Sequence, residues 1–510
     1  MKALSPNPIL PGMHPDPTIC RVADLFYLAT SSFGQFPGVP LYVSEDLKHW
    51  SFVRHILSRP KQLPFQQQQN FVSGGIFAPT LRHDGKRFYL VTTNMGNGGH
   101  FIVTAENPAD EWSDPIWIDE AHQGGIDPSL TFLEDGRVLF QATADPERGE
   151  APGLVQFEID PLTGRGLTPR RYLSKGFGWK AVEGPHLFQR GEYWYLLTAE
   201  GGTEANHRVA IGRSDSPWGP WEACPHNPIL THAGYDSSIQ NTGHPDMVSD
   251  RDGNWWMVFL GVRPVGYPPV HICGRETYLA PVEWSDGWPV VNGGRPVIEA
   301  SYPVKWEDRF DGGRPGHPWI SIGASYDSAI GTGQASGFYL KPISTSLSDA
   351  GPTGFLGTAL AGNAVCCEQT VELPSSSNLE GGVCVFMNHN AYYSMGVTQR
   401  KGCPVARLTR HVLDMTTVEE VVLESSDRWE MRLELTSGGD AWLPESSSFI
   451  FSIRPEGGAW LEVGRGVSRL LATEVVGGFS GLFVGPYCAG RASDHKEGML
   501  VKRFAMAQTD

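Results

Sequence analysis

The chain has 510 residues, a length that exceeds the usual single domain, and its 60 glycines and 39 prolines suit a large, loop-rich all-β protein. Its formal net charge of −16 argues against nucleic-acid and anionic-membrane partners, because such a surface does not attract phosphate. These features favour a neutral substrate.

The amino terminus and the cysteines indicate the cellular compartment in which the protein resides. The first 17 residues, MKALSPNPILPGMHPDP, lack the apolar core of a secretory signal, and no apolar run in the chain is long enough to span a membrane. The 8 cysteines include no C-x-x-C pair and read as buried thiols rather than disulfides or zinc ligands. We therefore expect a cytoplasmic protein.

The first half of the chain repeats one pattern five times. Each copy has a proline-containing turn, a short apolar run, a polar turn and a strand rich in aromatic and β-branched residues. The copies begin at His14, Phe77, Ile126, Val182 and Gly243. A repeat of about 50–60 residues that holds only short strand patterns is typical of a propeller blade. The pattern predicts a five-bladed β-propeller with four strands in each blade.

Alignment of the five copies brings three acids into one register. The equivalent positions are Asp16, Ala78, Asp127, Glu183 and His244. Equivalent positions of blades around one axis converge on that axis, so we expect the three carboxylates to meet in one pocket. Each acid alone could simply start a turn, which aspartate does well by bonding its own backbone. Three acids in register favour a functional site.

The pattern changes in a segment dense in glycine and proline, residues 286–318. We place the domain boundary at about residue 303, with the propeller in residues 1–303 and a second domain in residues 304–510. Alternating apolar stretches separated by serine and glycine turns predict an antiparallel β-sandwich there; they lie at residues 382–387, 431–435 and 449–453.

Three carboxylates around one pocket have a definite chemistry. Like charges in a confined space resist joint ionisation, so at least one pKa should rise and leave an acid near neutral pH while another group remains a base. An acid and a base that face each other across a small pocket are the apparatus of glycoside hydrolysis.

The motifs around these acids resemble glycoside hydrolase family 43, and the fuller pattern is similar to its two-domain β-xylosidases. The motifs are HPDPT at 14–18, GGIDPS at 124–129, VEGPH at 182–186 and NPILPG at 7–12. Weaker similarity to the family's accessory sandwich includes WEDRF at 306–310 and GGFSG at 477–481. The resemblance covers nearly the whole chain.

The resemblance implies a role for each acid. Asp16 would be the general base that activates water, and Glu183 the general acid that protonates the leaving oxygen. Asp127 would orient Glu183 and tune its pKa. The family inverts the anomeric centre, which requires an acid and a base about 6.5–9.5 Å apart.

Four further side chains are candidate substrate ligands. The Arg275 guanidinium offers several fixed hydrogen-bond donors to sugar hydroxyls; alternatively, it makes a structural hydrogen bond to the end of a strand. Phe33 would form part of an apolar wall. Phe77 stands in GIFAP, where similar β-xylosidases usually carry Trp, and this departure could widen the subsite. Phe479, between glycines, would send an aromatic ring from the sandwich over the pocket mouth, or else belong to the core of the last hairpin.

His244 is the fifth member of the register. In similar enzymes the matching histidine lies beneath the acids, sometimes as a ligand of a structural Ca²⁺ and sometimes bonded only to water. Because Ca²⁺ prefers oxygen ligands, most of its ligands here would have to be waters. We expect that catalysis requires no metal or other cofactor.

Three functions remain open. The leading one is an exo-acting β-xylosidase that removes β-1,4-linked xylose from the non-reducing end of xylo-oligosaccharides. The second is an α-L-arabinofuranosidase that removes arabinose side chains from arabinoxylan. The third, of another class, is a non-catalytic carbohydrate-binding propeller, which a buried acid trio disfavours because of its desolvation cost. Homo-oligomers are usual for the resembling enzymes, but no feature of the chain shows an interface.

Overall fold

The computed structural model describes residues 7–63, 71–300, 304–313, 316, 318–323, 337–349, 351–373, 379–438, 440, 442–490 and 498–509. Within these ranges the protein is almost entirely β-structure. The described residues contain one α-helix, α1 (Thr473–Val476), which has four residues. No helix of the described part has the length and apolar character to cross a membrane.

Five antiparallel sheets follow one another along the first domain, as the repeat predicts. The first contains β1 (Thr18–Val22), β2 (Leu25–Ala29), β4 (Gly38–Ser44) and β5 (Ser51–Leu57). The second contains β6 (Gly75–Ile76), β7 (Thr80–His83), β8 (Phe88–Met95), β9 (Gly99–Ala105) and β10 (Ile116–Trp117). The third contains β11 (Ser129–Phe132), β12 (Val138–Thr143), β13 (Leu154–Asp160), β14 (Arg165–Gly166) and β15 (Arg171–Ser174).

The last two blades have four strands each. The fourth blade contains β16 (Glu183–Arg190), β17 (Tyr193–Glu200), β18 (Arg208–Ser214) and β19 (Glu222–Ala223). The fifth contains β20 (Gln240–Ser249), β21 (Trp255–Val262), β22 (Glu276–Ser285) and β23 (Trp288–Val291). The prediction of four strands in every blade is wrong for the second and third. There β6 and β7 both pair with β8, and β14 and β15 both pair with β13.

The innermost strands close a ring. Strand β1 contacts β7, β7 contacts β11, β11 contacts β16, β16 contacts β20, and β20 contacts β1. Apolar clusters fill the spaces between blades; one joins the first and second, another the fifth and first. Both faces of each blade are therefore covered, which is why the second strand of each repeat is apolar on both sides.

A buried charge network ties four of the innermost strands together below the pocket. Arg82 donates from Nη1 to Asp246 Oδ2 at 2.8 Å and from Nη2 to His186 Nδ1 at 2.8 Å. The same Asp246 oxygen accepts the Thr18 hydroxyl at 2.8 Å. Burial alone would raise the pKa of Asp246, but the charge of Arg82 and the hydrogen bonds from Arg82 and the Ile19 N–H lower it to about 2. The network fixes the register of neighbouring blades.

The second domain is an antiparallel sandwich of two sheets. One has the order β24-β37-β28-β33-β34-β35, with β26 also paired to β37. Its strands are β24 (Lys305–Asp308), β26 (Phe338–Leu340), β28 (Val365–Glu372), β33 (Arg428–Ser437), β34 (Ser447–Pro455), β35 (Leu461–Val467) and β37 (Met499–Gln508). The other has the order β27-β36-β29-β30-β31-β32. Its strands are β27 (Thr358–Ala359), β29 (Leu379–Asn388), β30 (Ala391–Arg400), β31 (Cys403–Val412), β32 (Met415–Val422) and β36 (Phe483–Gly490).

The two domains share a small sheet. Strand β25 (Ser321–Ile322) pairs with β3 (Gln35–Phe36) of the first repeat. The domain boundary at residue 303 stays a prediction, because residues 301–303 lie outside the described ranges. All eight cysteines are free; six are buried, whereas Cys366 is partly exposed and Cys403 is exposed, unlike the predicted buried thiols.

Candidate active site

Left-handed backbone places the acids at the inner ends of the blades. Asp16, Asp127 and His244 have φ of 53°, 56° and 48°, and Gly184, next to Glu183, has φ of 55°. Positive φ is uncommon for residues other than glycine, and it clusters at functional sites. Asp16 and Asp127 stand two residues before β1 and β11, while bulges interrupt β16 after Glu183 and β20 around His244. The shared kink turns these side chains toward the axis.

Every candidate site residue of the sequence analysis lines one pocket of about 80 Å³. The eight are Asp16, Phe33, Phe77, Asp127, Glu183, His244, Arg275 and Phe479. Ala78, Ile126 and Thr203 complete the lining. Residues separated by more than 450 positions thus meet around one small pocket.

Asp16 is held as a charged carboxylate. Arg275 Nη1 donates to its Oδ1 at 2.9 Å, and the Ser31 hydroxyl donates to its Oδ2. His244 Nδ1 lies 3.8 Å from the same Oδ1. Burial opposes ionisation of Asp16, but the charge of Arg275 leads the interactions that outweigh it, so the pKa lies below its ordinary value. Asp16 is therefore ready to accept a proton.

Asp127 and Glu183 are shifted in the other direction. Burial, followed by the charges of Glu183 and Asp16, raises the pKa of Asp127 well above its ordinary value. Burial, followed by the Asp16 charge, raises the pKa of Glu183 to about 7, although Arg275 opposes the rise. The Gly184 N–H donates to Asp127 Oδ2 at 3.3 Å, which links the two acids through the backbone. The pocket thus combines an ionised carboxylate with a carboxylic acid near neutral pH.

Three phenylalanines form the apolar side of the pocket. Phe479 stacks on Phe33 with centroids 6.2 Å apart and meets Phe77 edge-on at 6.2 Å, and Phe33 meets Phe77 edge-on at 5.3 Å. The Arg275 guanidinium lies 5.4 Å from the Phe33 ring and 5.7 Å from the Phe479 ring. The cation therefore lies to one side of the stacked pair, within cation–π distance of both rings.

The Phe479 loop reaches the pocket from the sandwich. Ser73 of the propeller accepts from Phe479 N–H at 2.9 Å, and Arg275 donates to the Phe479 carbonyl at 3.4 Å. Gly478 has φ of 94°, and a Cβ there would lie 2.4 Å from Ser73 Oγ. A Cβ on Gly481 would lie 2.4 Å from the Cys273 carbonyl. The flanking glycines therefore allow the close approach of the two domains.

His244 forms the pocket floor beside Asp16 and against Gly184. A Cβ on Gly184 would lie 3.2 Å from the imidazole. Burial lowers the pKa of His244, which favours the neutral ring. Among the described residues no group of three or more His, Cys, Asp or Glu side chains is arranged to hold a metal ion. A lone nitrogen ligand is a poor match to the oxygen preference of Ca²⁺, so the donor set here does not fit a protein-built Ca²⁺ site.

Sequence reasoning missed three residues at the site. Ser31 donates to Asp16, Thr203 lines the pocket, and the buried His207 places its Nε2 3.7 Å from Glu183 Oε1. Thr203 and His207 lie in the loop after β17, which carries none of the repeated motif. The EGGT sequence that ends this strand was the available signal for Thr203. His207 is a lone histidine in a loop, and its sequence context gives no signal of a role at the site.

Family models cover both domains. Residues 5–289 match the model of glycosyl hydrolases family 43, and residues 307–504 match that of the β-xylosidase C-terminal concanavalin A-like domain. The first match alone covers more than half of the chain.

Individual relatives agree with the family models. A non-reducing end α-L-arabinofuranosidase of Bacteroides ovatus is 37% identical over 504 residues, which cover 95% of this chain and 91% of the relative. A xylan 1,3-β-xylosidase of a Vibrio species is 31% identical over 532 aligned positions, covering 94% of this chain and 95% of the relative. The crystal structure of a xylan β-1,4-xylosidase from Bacillus halodurans superposes with a TM-score of 0.87 at 27% identity, over 99% of this chain and 100% of that one. With its propeller, its acid pocket and its C-terminal sandwich, the chain belongs to glycosyl hydrolases family 43.

Proposed function

We propose that this glycoside hydrolase removes β-1,4-linked xylose from the non-reducing end of xylo-oligosaccharides with inversion at the anomeric carbon. The pairing of Asp16 with Glu183 supports the proposal most directly. One carboxyl is held ionised by Arg275, and the other keeps its proton to about pH 7. General acid–base catalysis needs these two protonation states at the same pH.

The two groups divide the reaction. Asp16 takes a proton from a water molecule as the water oxygen forms a bond to the anomeric carbon. Glu183 gives its proton to the glycosidic oxygen as the bond between that oxygen and the anomeric carbon breaks. No glycosyl-enzyme forms: the hydroxyl of the water bonds to the anomeric carbon, the Glu183 proton goes to the leaving oxygen, and Asp16 then releases the water proton to solvent while Glu183 takes one up. No step in this scheme uses a metal ion or an organic cofactor.

Asp127 acts on Glu183 rather than on the sugar. The Gly184 N–H bond to Asp127 holds the backbone beside the acid, and burial, followed by the charge of Glu183, raises the pKa of Asp127. Burial makes joint ionisation of the pair costly, so the two carboxyls titrate together. We therefore assign Asp127 to orienting the general acid and tuning its pKa.

The shape of the pocket supports exo action. The ring of Phe479, which we call the aromatic lid, closes one side of the small pocket. Three residues of this pocket also border a second cavity of about 900 Å³; they are Thr203, Arg275 and Phe479. Loops of both domains line the larger cavity. One terminal sugar would occupy the small pocket, and the leaving saccharide would extend into the larger one.

An α-L-arabinofuranosidase is the second candidate. Phe77 occupies a position where a bulkier Trp is usual in similar β-xylosidases, and the Bacteroides ovatus relative is named for arabinofuranosidase activity. A pocket for one pentose could serve either sugar. Membership of a hydrolase family leaves the third alternative, a propeller that only binds sugars, without support.

A direct rate comparison separates the two candidates. We expect a larger kcat/KM on an aryl β-xyloside than on the matched aryl α-L-arabinofuranoside, measured at the same pH and with the same leaving group. A preference of tenfold or more for the arabinofuranoside, equivalent to about 1.4 kcal/mol, would make the second candidate the function.

Two variants test the assigned roles. Glu183→Ala should be slow on xylobiose yet much closer to the parent on an aryl xyloside whose leaving group needs no proton, since only leaving-group protonation is lost. Asp16→Ala should be slow on both substrates, because the water is no longer activated. Equal losses on both substrates in both variants would contradict the assignment.

A further inference from the structure

A second histidine, His207, lies beside the general acid, with its Nε2 3.7 Å from Glu183 Oε1. It immediately precedes β18, and its side chain is completely buried. A Cβ on Gly243 would lie 2.4 Å from its ring atoms, so the absence of a side chain there makes room for the imidazole. The ring is packed in a fixed place and does not line the sugar pocket.

The hydrogen bonds of His207 define its tautomer. Nδ1 lies 3.2 Å from the Asn241 carbonyl oxygen, which can only accept, so Nδ1 carries the hydrogen. Burial, together with the neighbouring His244, lowers the pKa of the ring to about 3, so the ring is neutral at working pH. Nε2 therefore presents a lone pair.

Within the described part of the chain, the Nε2 lone pair accepts no hydrogen bond, and the group that it faces is the Glu183 carboxyl. Nε2 is buried without a hydrogen bond, and Glu183 Oε1 lies 3.7 Å away, slightly beyond hydrogen-bond length. A buried acceptor without a donor is costly. A protonated Glu183 can supply that donor after a small rotation, whereas an ionised Glu183 would set two acceptors against each other.

We propose that His207 is a positioning residue for the general acid: its Nε2 accepts the Glu183 hydroxyl in the free enzyme and so favours the protonated carboxyl. This inference rests on the proposed function. When substrate binds, the hydroxyl turns to the glycosidic oxygen and gives up its proton there. The resulting carboxylate then faces the Nε2 lone pair, which favours uptake of a new proton from solvent and resets the enzyme. His207 itself stays neutral throughout.

Other charged and titratable groups also act on Glu183. They are Asp16, Asp127, Arg275 and, across Gly184, His244. None of these is changed by a substitution at position 207, so a shift in the ionisation of Glu183 reports the lost acceptor.

The test compares His207→Leu, which removes the acceptor, with His207→Gln, which offers a carbonyl oxygen in its place. In His207→Leu the basic limb of the kcat/KM–pH profile on xylobiose should move down by about one pH unit, since one hydrogen bond is worth about that much. The ratio of activity at pH 8 to activity at pH 5.5 should then be about sevenfold lower in the variant than in the parent. The limb of His207→Gln should stay near that of the parent.

A matched control separates this effect from general damage. His232 is also fully buried, but Nδ1 faces the Ile239 carbonyl and Nε2 accepts from Val297 N–H at 3.0 Å. His232→Leu should lower Tm without moving the basic limb. A limb in His207→Leu that coincides with the parent's, or a shift in the Gln variant as large as in the Leu variant, would overturn the proposal.

A spectroscopic measurement on the intact enzyme covers the case in which His207→Leu does not fold. With ¹⁵N-labelled histidine, the His207 Nε2 resonance should change as Glu183 titrates near pH 7 and should not change in Glu183→Gln. If the His207 Nε2 chemical shift in the parent does not change with pH near 7, the inference about His207 is overturned. If instead Glu183→Ala keeps full activity on xylobiose, the proposed function itself fails.

Discussion

At the scale of single residues, three carboxyls of the same chemical type reach different ionisation states through their neighbours. Asp16 has a guanidinium at 2.9 Å, whereas Asp127 has only a backbone N–H at 3.3 Å and two other acids nearby. Burial affects all of them, so the local partner decides the direction of each shift. The sequence register could predict that the acids meet, but not which of them keeps its proton.

The raised pKa of Asp127 makes the fold depend on pH. In the folded state its carboxyl binds a proton at pH values where the unfolded chain, with a pKa near 4, has released it, so stability falls as pH rises above about 4. Asp127→Asn removes that dependence and keeps an oxygen for the Gly184 N–H. We expect the variant to be more stable than the parent at pH 8, by about 1.4 kcal/mol for each unit of pKa shift.

Thermal unfolding of parent and Asp127→Asn at pH 4.5 and pH 8 measures this effect. The Tm difference should favour the variant at pH 8 and nearly vanish at pH 4.5, while activity falls at both. A variant that is equally destabilised at the two pH values would show that the Asp127 carboxyl is ionised and well paired in the parent.

At the scale of elements, the strongest sequence signals gave correct strands. The strand rich in aromatic and β-branched residues that each repeat predicts is the second strand of that repeat. These strands are β2, β8, β12, β17 and β21, which contain FYL, FYL, VLF, YWY and WWM. Both faces of these strands are covered, so their apolar runs are long. Two-residue strands such as β6 and β14 carry no such signal, because neighbouring backbone rather than their own side chains fixes their pairing.

The site could be predicted to a similar extent. Motif register brought out the acids and His244, and resemblance brought out Arg275 and the aromatic residues. His207 could not be found, since its importance depends on a tautomer set by Asn241 and on contact with Gly243, both distant in sequence. Such contacts exist only after the ring of blades has closed.

The lid loop permits a test at the same scale. Phe479→Ala removes the ring that stacks on Phe33 and adjoins Phe77, so kcat/KM on xylobiose should fall about tenfold, equivalent to roughly 1.4 kcal/mol of apolar and aromatic contact. Tm should change little, because the side chain is 43% exposed.

Leu470 provides the matched control for the lid. It is 40% exposed, lies nine positions earlier in the same region of the sandwich, and does not line the pocket. Leu470→Ala should therefore leave kcat/KM unchanged. Parent-like hydrolysis of xylobiose by Phe479→Ala, together with binding of insoluble xylan by the sandwich, would favour an independent sugar-binding module over a lid.

At the scale of the whole molecule, a common apolar cluster joins the two domains. One buried cluster contains Met13 and Phe33 of the propeller together with Ile322, Phe355 and Tyr487 of the sandwich. Arg469 of the sandwich also donates to the Tyr267 and Pro268 carbonyls. Interfaces between domains of one chain are usually more polar and allow relative motion. The apolar contact here predicts a rigid joint that supports the pocket wall.

A cavity in that joint should therefore disturb catalysis from outside the pocket. Ile322 is fully buried in the cluster that contains Phe33, whereas Ile453 is fully buried in β34 of the sandwich, opposite Met431. Neither lines the pocket.

Both Ile→Ala changes should destabilise the protein by about 2–5 kcal/mol through the cavity that they leave. Only Ile322→Ala should also lower kcat/KM on xylobiose, because relaxation around it moves Phe33. Measurement of Tm and kcat/KM for both variants tests the coupling, and equal kcat/KM in two folded variants of lowered Tm would mean that the sandwich supports the fold without shaping the site.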